Sequence, residues 1–291
     1  MAVGSMLCVQ VGLGASVGLF DDIGPAGAAC LRLSWAGVIA LAIVRPRRGT
    51  YSPDARRGGL ALGVVTAGMT MLFMAAVDCL PLGTAVALEF LGPLGIAVLR
   101  GRGVAAGWPL LAACGVLLLT QPWQGVVSAT GVAYALGAGS CWAAYIILTQ
   151  RVGDAVSGVK GLAISMPVAA VVSCCVAGPS LASDLTPGLA AVGLGLAVLL
   201  PVIPFALEML ALQRVHAGAF GTLMALEPAF AVGVGLVALG QVPGPLAALG
   251  SACVVSAGIA AARAGARSPE RRALRTPALR CPPFLRARLR S

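Results

Sequence analysis

Charged residues are scarce in this sequence. Asp, Glu, Lys and Arg make up only 10% of the 291 residues, whereas hydrophobic residues make up 59%. A soluble globular domain has about a quarter of its residues charged, because its surface must be compatible with water. The shortage therefore excludes an ordinary soluble domain and predicts a chain whose main solvent is lipid.

The common catalytic and nucleotide-binding motifs are also missing. The sequence has no GxxxxGK[ST], which argues against an ATP-driven pump, and no HExxH. Its single histidine, His216, has no GxSxG serine partner. We therefore predict a protein that is not an enzyme and that has no cofactor and no metal site, with an intramembrane enzyme as the less favoured alternative.

A disulfide framework is not indicated either. The nine cysteines are scattered, only Cys174 and Cys175 are adjacent, and there is no CxxC. Free cysteine behaves as a small apolar residue in a protein interior. We interpret most of the cysteines as packing residues.

What the sequence does have is long apolar runs, each near the length that crosses a bilayer as a helix. The runs are continuously apolar and not alternating, which favours helices over a β-barrel. The fold class predicted is an all-α integral membrane protein with ten transmembrane helices. They cover residues 2–20, 26–44, 59–77, 82–99, 104–121, 131–149, 159–178, 188–208, 217–239 and 245–262.

The connections between these spans divide cleanly by charge. Every basic residue except Arg32 lies in one alternate set of connections, at the start of the span that follows such a connection (Lys160), or after residue 262. The other set carries only acids: Asp21, Asp22, Asp78 and Asp184. Because cytoplasmic connections collect Lys and Arg, we predict a multi-pass protein of the inner membrane with both termini in the cytoplasm.

The net charge of +10 is then a consequence of topology, and we predict no nucleic-acid partner. Residues 263–291 are rich in Arg and Pro. We expect a disordered cytoplasmic tail near anionic lipid headgroups, with a regulatory or partner-binding role as the alternative.

An internal repeat links the two halves of the chain. "GTAVALE" at 83–89 returns as "GTLMALE" at 221–227, with the Gly, Thr and Glu at the same offsets. We interpret it as a duplication of residues 1–121 in residues 131–262. Because each half has five spans, an odd number, the two five-helix repeats are inverted, with a substrate site where they meet.

Each copy of the repeat ends in a glutamate inside an apolar span. Glu89 and Glu227 fall roughly 10 and 15 Å into their spans, at 1.5 Å per residue, and so near the bilayer centre. A carboxylate there is costly, and such residues face a bundle interior or a wet cavity. We expect them to exchange protons; the alternatives are neutral groups bonding neighbouring helices, or a static pair with Arg32.

Prolines stand beside both glutamates. Pro93 cannot donate to the carbonyl of Glu89, and Pro228 leaves the carbonyl of Met224 without its donor. We expect both helices to be kinked or opened beside their carboxylates.

Four further residues are candidates for the site. Arg32 is either a clamp for a substrate carboxylate or a snorkelling structural residue. Trp142 and Tyr145 lie about one turn apart and either wall a cavity or simply pack. Glu208 lies near the cytoplasmic end of its span. For this residue an interfacial or structural role is an equal alternative to a role in the site.

Several segments resemble a known family: "LPLGTAVALEFLGPL", "ALGAGSCWAAYI", "FALEMLALQRV" and "FGTLMALEPA". They are similar to EamA-type members of the drug/metabolite transporter superfamily, and within it to the bacterial threonine/homoserine exporter group. The resemblance implies an inner-membrane exporter of small metabolites, often amino acids, that works by proton exchange. It points to Glu89 and Glu227, with Trp142, Tyr145 and Glu208 in matching motifs.

The predicted function is therefore export of a small polar metabolite by proton antiport. A small-molecule substrate, protons and the lipid bilayer are the expected partners, and an amino acid such as threonine or homoserine is the best candidate. The sequence departs from the exporter group at Val17-Gly18-Leu19, where a basic residue is expected. An exporter of drugs or other metabolites, an importer, and either a monomer or a homodimer stay open.

Overall fold

The computed structural model describes residues 2–45, 51–100, 107–121, 128–155, 159–202, 204 and 226–265. Every regular element in these ranges is a helix, in agreement with the all-α prediction. In chain order the helices are α1 (Ala2–Val17), α2 (Phe20–Val44), α3 (Pro53–Cys79), α4 (Leu82–Glu89), α5 (Leu91–Arg100), α6 (Gly107–Thr120), α7 (Ala129–Ala155), α8 (Val159–Asp184), α9 (Pro187–Ala197), α10 (Glu227–Leu239) and α11 (Pro245–Gly265).

Turn and cap chemistry moves some boundaries away from the predicted spans. Helix α3 begins at Pro53, because the Ser52 side chain accepts a hydrogen bond from the Ala55 N–H at 3.2 Å and proline suits the first helical position. Helix α2 begins at Phe20 and bends at Gly24. Gly24 has a φ of 68°, a value that glycine adopts without strain. The predicted start at residue 26 therefore marks a bend inside α2.

The eighth and ninth predicted spans are described only in part. Helix α9 continues into a π-helical turn, Val198–Val202, and of the rest of that span only Pro204 is described. Residues 217–225 of the ninth span lie outside the described residues, as do residues 266–291 of the predicted tail.

Four helices contain windows long and apolar enough to cross a membrane by length and composition: Phe20–Val44, Pro53–Cys79, Ala129–Leu148 and Gly161–Gly178. The other apolar helices in the described residues are shorter, and they are Met6–Val17, Leu82–Ile96, Leu110–Leu119, Pro187–Leu200, Glu227–Leu239 and Pro245–Ala260. Each of these ten segments overlaps one of the predicted spans.

The outward surface of the helices is apolar. Val171 and Val176 on α8 are 63% and 66% exposed, and Val237 on α10 is 87% exposed. Large apolar side chains exposed in this number are unfavourable in water but suit contact with lipid tails.

Glycines allow the helices to approach closely. Helix α2 packs along α8, where a Cβ on Gly37 would lie 3.3 Å from the Met166 carbonyl oxygen. Helix α6 packs along α11, where a Cβ on Gly250 would lie 2.7 Å from the Gly115 carbonyl oxygen. Small residues at such contacts are typical of helix packing in membranes, where close van der Waals fit drives association.

Candidate functional site

The first copy of the repeat forms helix α4, and Glu89 is its last residue. Residues 82–88 are all buried, and the Leu82 N–H at the start of α4 donates to Gln241 Oε1 at 2.9 Å. The Phe90 N–H still bonds to the Val86 carbonyl, and α5 then begins at Leu91. Phe90 has helical dihedral angles, and the Leu94 N–H bonds to the Phe90 carbonyl, so α4 and α5 are separated by one residue only, here called the break. The kink or opening predicted beside Glu89 therefore stays a prediction.

The break is seated against α7 through two glycines. A Cβ on Gly139 would lie 2.6 Å from the Glu89 carbonyl oxygen, the group that Pro93 cannot bond. On the other side of the contact, a Cβ on Gly92 would collide with the Gly139 carbonyl. Only glycine lets the two backbones approach this closely, so Gly92 and Gly139 hold Glu89 in place.

The second copy of the repeat places its glutamate at a helix start. Glu227 is the first residue of α10, and the Ala229 and Phe230 N–H groups bond to the Leu226 carbonyl. Pro228 is buried in the first turn, where its missing N–H costs nothing. Met224 lies outside the described residues, so the predicted opening there stays a prediction.

Helix α10 packs against α4, which brings the two copies together. Gly83, the first residue of "GTAVALE", lies against Val232 of α10. Glu227 and Arg32 of α2 both interact electrostatically with the Glu89 carboxylate. Of the predicted site residues, these three therefore converge in the interior.

Arg32 contributes to this cluster a hydrogen-bond donor that has no acceptor in the described part of the chain. Its Nη1 atom is buried and has no hydrogen-bond partner among the described residues. A buried guanidinium nitrogen without an acceptor is costly, and it is ready to bind an anionic group that enters the site.

The sequence analysis missed one residue of the cluster, Gln10 on α1. The Gln10 side chain is fully buried, and its Nε2 donates to Glu227 Oε1 at 3.4 Å. Its Oε1 is buried and unbonded within the described part of the chain. The available signal was a lone amide in the middle of the apolar run "LCVQVG".

Trp142 supports the site from α7. Its ring meets that of Phe90, the residue after Glu89, edge to face with centroids 6.2 Å apart. Tyr145 is partly buried one turn further along α7, and it makes an interaction of its own. Glu208 lies outside the described residues.

The chemistry of the cluster follows from its charges. Two carboxylates and one guanidinium leave one surplus negative charge when all are ionised, in a place where unpaired charge is costly. A bound proton or another bound cation balances it. Among the described residues, no group of three or more His, Cys, Asp or Glu is placed to hold a metal ion.

Comparison with known proteins identifies the family. Residues 129–261 match the EamA-like transporter family. The chain is 37% identical over 257 residues to the threonine/homoserine exporter RhtA of Escherichia coli K12, covering 87% of each chain. It is 34% identical over 270 residues to RhtA of Salmonella typhimurium LT2, covering 91% of each.

A solved crystal structure with 18% sequence identity superposes with a TM-score of 0.54, over 90% of this chain and 97% of that one. At this identity the likeness concerns the fold alone. Given the identity and coverage of the RhtA relatives, the chain belongs to the EamA-like transporter family, and it is a multi-pass inner-membrane transporter and not an enzyme.

Proposed function

We propose that this transporter exports a small amino acid, with threonine and homoserine as the first candidates, in exchange for protons. The observation that carries the proposal is the interior cluster of Glu89, Glu227, Arg32 and Gln10, with a buried guanidinium nitrogen and a buried amide oxygen that have no partner among the described residues. The substrate candidates come from the RhtA relatives, which are threonine/homoserine exporters.

The cluster matches the two charges of an amino acid. The Arg32 guanidinium is the acceptor site for the substrate carboxylate, because its planar donors fit a carboxylate. The substrate ammonium group binds between the glutamate carboxylate that Arg32 does not neutralise and the Oε1 atom of Gln10. Trp142 and Tyr145 on α7 border the cavity, and Glu208 is a further candidate toward its cytoplasmic side.

Competition for one carboxylate explains the exchange. A substrate ammonium and a proton bind to the same glutamate carboxylate, so each displaces the other. When the site opens outward, the substrate leaves and a proton takes its place. When the site opens inward, the proton leaves and the next substrate binds.

The architecture that goes with this mechanism is a ten-span bundle of two inverted repeats, residues 1–121 and 131–262. Support comes from which helices touch: α2 packs on α8, α4 on α10 and α6 on α11. In each pair the partners occupy equivalent places in the two halves. A twofold axis in the membrane plane brings equivalent helices together in this way.

Both termini are in the cytoplasm in this arrangement. Support comes from the connections assigned to the outer side, which meet at one end of the bundle. Cys79 and Leu80, after the third span, lie against Gly131, and Leu82 bonds to Gln241 from the ninth connection. The basic connections belong to the opposite end, as expected for the cytoplasmic side.

Transport into everted membrane vesicles tests the function. The cytoplasmic face of such vesicles points outward, so export appears as uptake. With an acidic interior, vesicles containing the protein are expected to accumulate labelled threonine or homoserine faster than vesicles without it, and collapse of the gradient abolishes the difference. If no amino acid of a broad panel responds to the gradient, proton-coupled amino-acid export is refuted.

A further inference from the structure

Two cysteines outside the transport cluster lie close together across the interface of α2 and α8. Cys30 on α2 is fully buried, and its Sγ lies 3.3 Å from the Sγ of Cys174 on α8. The Ser34 hydroxyl lies 3.4 Å from the Cys174 sulfur and 4.0 Å from the Cys30 sulfur. Most cysteines were interpreted as packing residues from the sequence, and this pair is placed for more than packing.

The surroundings leave one of the two thiols accessible. Cys174 is exposed and lies one turn after the exposed Val171 on the same helix. Cys30 is enclosed in an apolar cluster with Leu31, Ala177 and Leu181. A small reagent dissolved in the membrane therefore reaches Cys174 first, with Cys30 directly behind it.

We propose that Cys30 and Cys174 form an oxidant-dependent disulfide that joins the two halves of the transporter. A disulfide needs the sulfurs to approach from 3.3 Å to about 2.05 Å. Side-chain rotation supplies this small movement, because α2 and α8 already pack closely: a Cβ on Gly37 would lie 3.3 Å from the Met166 carbonyl oxygen.

The oxidant is a peroxide, and the step balances as follows. The Cys174 sulfur attacks one peroxide oxygen, the O–O bond breaks, and the leaving hydroxide takes the thiol proton as water. The Cys30 sulfur then attacks the resulting sulfenic acid, and the S–O bond breaks with release of a second water. Two thiols are oxidised to one disulfide while one hydrogen peroxide is reduced to two waters.

The functional consequence of this bond rests on the proposed inverted-repeat transport cycle. Helix α2 belongs to residues 1–121 and α8 to residues 131–262. If the two halves move against each other during transport, a covalent bond between α2 and α8 stops the cycle. A reducing agent restores it.

The test uses the full-length protein in membrane vesicles treated with hydrogen peroxide and then alkylated. Wild type is expected to give a peptide linked between Cys30 and Cys174 on mass analysis, and to lose gradient-driven flux until dithiothreitol is added. Cys174→Ser is expected to give neither effect. Cys175→Ser is the matched control, since it removes an exposed neighbouring thiol and is expected to behave as wild type.

Cys30→Ser removes the buried thiol of the pair and, like Cys174→Ser, is expected to give neither the linked peptide nor the loss of flux. Absence of the linked peptide in both wild type and Cys175→Ser overturns the disulfide itself. A linked peptide with unchanged flux overturns the transport lock while leaving the disulfide. A protein that forms the peptide but transports no substrate before oxidation contradicts the proposed function instead, so the failures are distinguishable.

Discussion

Glu89 and Glu227 end the two copies of the repeated heptapeptide, but they lie at opposite ends of their helices. Glu89 is the last residue of α4, whereas Glu227 is the first residue of α10 and accepts a hydrogen bond from Gln10. Glu89 instead interacts electrostatically with Arg32 on α2. The two carboxylates therefore have different neighbours, although both are candidates for proton exchange.

Neutral substitution of either glutamate is expected to remove proton coupling. In Glu89→Gln and Glu227→Gln, gradient-driven uptake falls by about tenfold or more, equivalent to about 1.4 kcal/mol, because an amide cannot exchange a proton. The measurement is uptake by everted vesicles at equal expression. Asp78→Asn, which changes an exposed carboxylate at the end of α3, is the control and keeps its flux. Full flux in both glutamine variants makes these acids structural.

Removal of the Gln10 amide is expected to weaken substrate binding. Gln10→Leu keeps the bulk of the side chain but removes the hydrogen bond from Gln10 to Glu227 and the Gln10 acceptor for the substrate. The substrate concentration for half-maximal uptake is expected to rise by about fivefold or more, because hydrogen bonds to charged groups contribute about 1.5–3 kcal/mol. Maximal flux falls less. An unchanged half-maximal concentration removes Gln10 from the site.

Sequence reasoning at this scale selected residues that repeat and overlooked one that does not. The two glutamates were recognised by their duplication. Arg32 was recognised because it is the one base in the interior of a predicted span. Gln10 is neither charged nor duplicated. Its importance depends on the contact with Glu227, which is 217 positions away in the chain, so the lone amide in its apolar run is a weak signal by itself.

At the scale of elements, the one-residue break at Phe90 separates α4 from α5 beside Glu89, the place where Pro93 predicts a kink or opening. What the sequence does not reveal is the support from α7, where Gly139 lies against the Glu89 carbonyl and Trp142 packs on Phe90. That support joins residues far apart in the chain, and glycine is too common here to mark the position.

A methyl group at the contact between α7 and the break is expected to destabilise the protein. In Gly139→Ala the new Cβ lies 2.6 Å from the Glu89 carbonyl oxygen, so backbone must shift, at a cost of about 1–3 kcal/mol. The Tm in detergent and the transport flux both fall. Gly95→Ala on α5 is the matched control, because a Cβ there meets nothing within 4 Å. Equal Tm values for the two variants contradict the close contact.

For the whole molecule, the proposed orientation in the membrane rests on the distribution of charge. Exposed valines such as Val171 and Val237 face outward from the bundle, as contact with lipid requires. The acids Asp78 and Asp184 end α3 and α8 at the side that the proposal assigns to the exterior. In the proposed ten-span arrangement, the even number of spans returns the chain to the side on which it started.

This orientation predicts which native thiol is accessible from outside the cell. Cys79 is exposed at the end of α3, beside Asp78. A membrane-impermeant maleimide added to intact cells is expected to label Cys79, and Cys79→Ser removes that label. Arg57→Cys, placed in the Cys79→Ser background, is labelled only after the membrane is opened. Labelling of Arg57→Cys in intact cells reverses the topology.

The hydrogen bond from the Leu82 N–H to Gln241 Oε1 gives the molecule a mechanical linkage between its halves. Gln241 follows α10, which carries Glu227, whereas Leu82 begins α4, which ends at Glu89. Any movement of the connection after α10 away from α4 must either break this bond or carry α4 with it. In the second case one displacement of this connection moves both acids together.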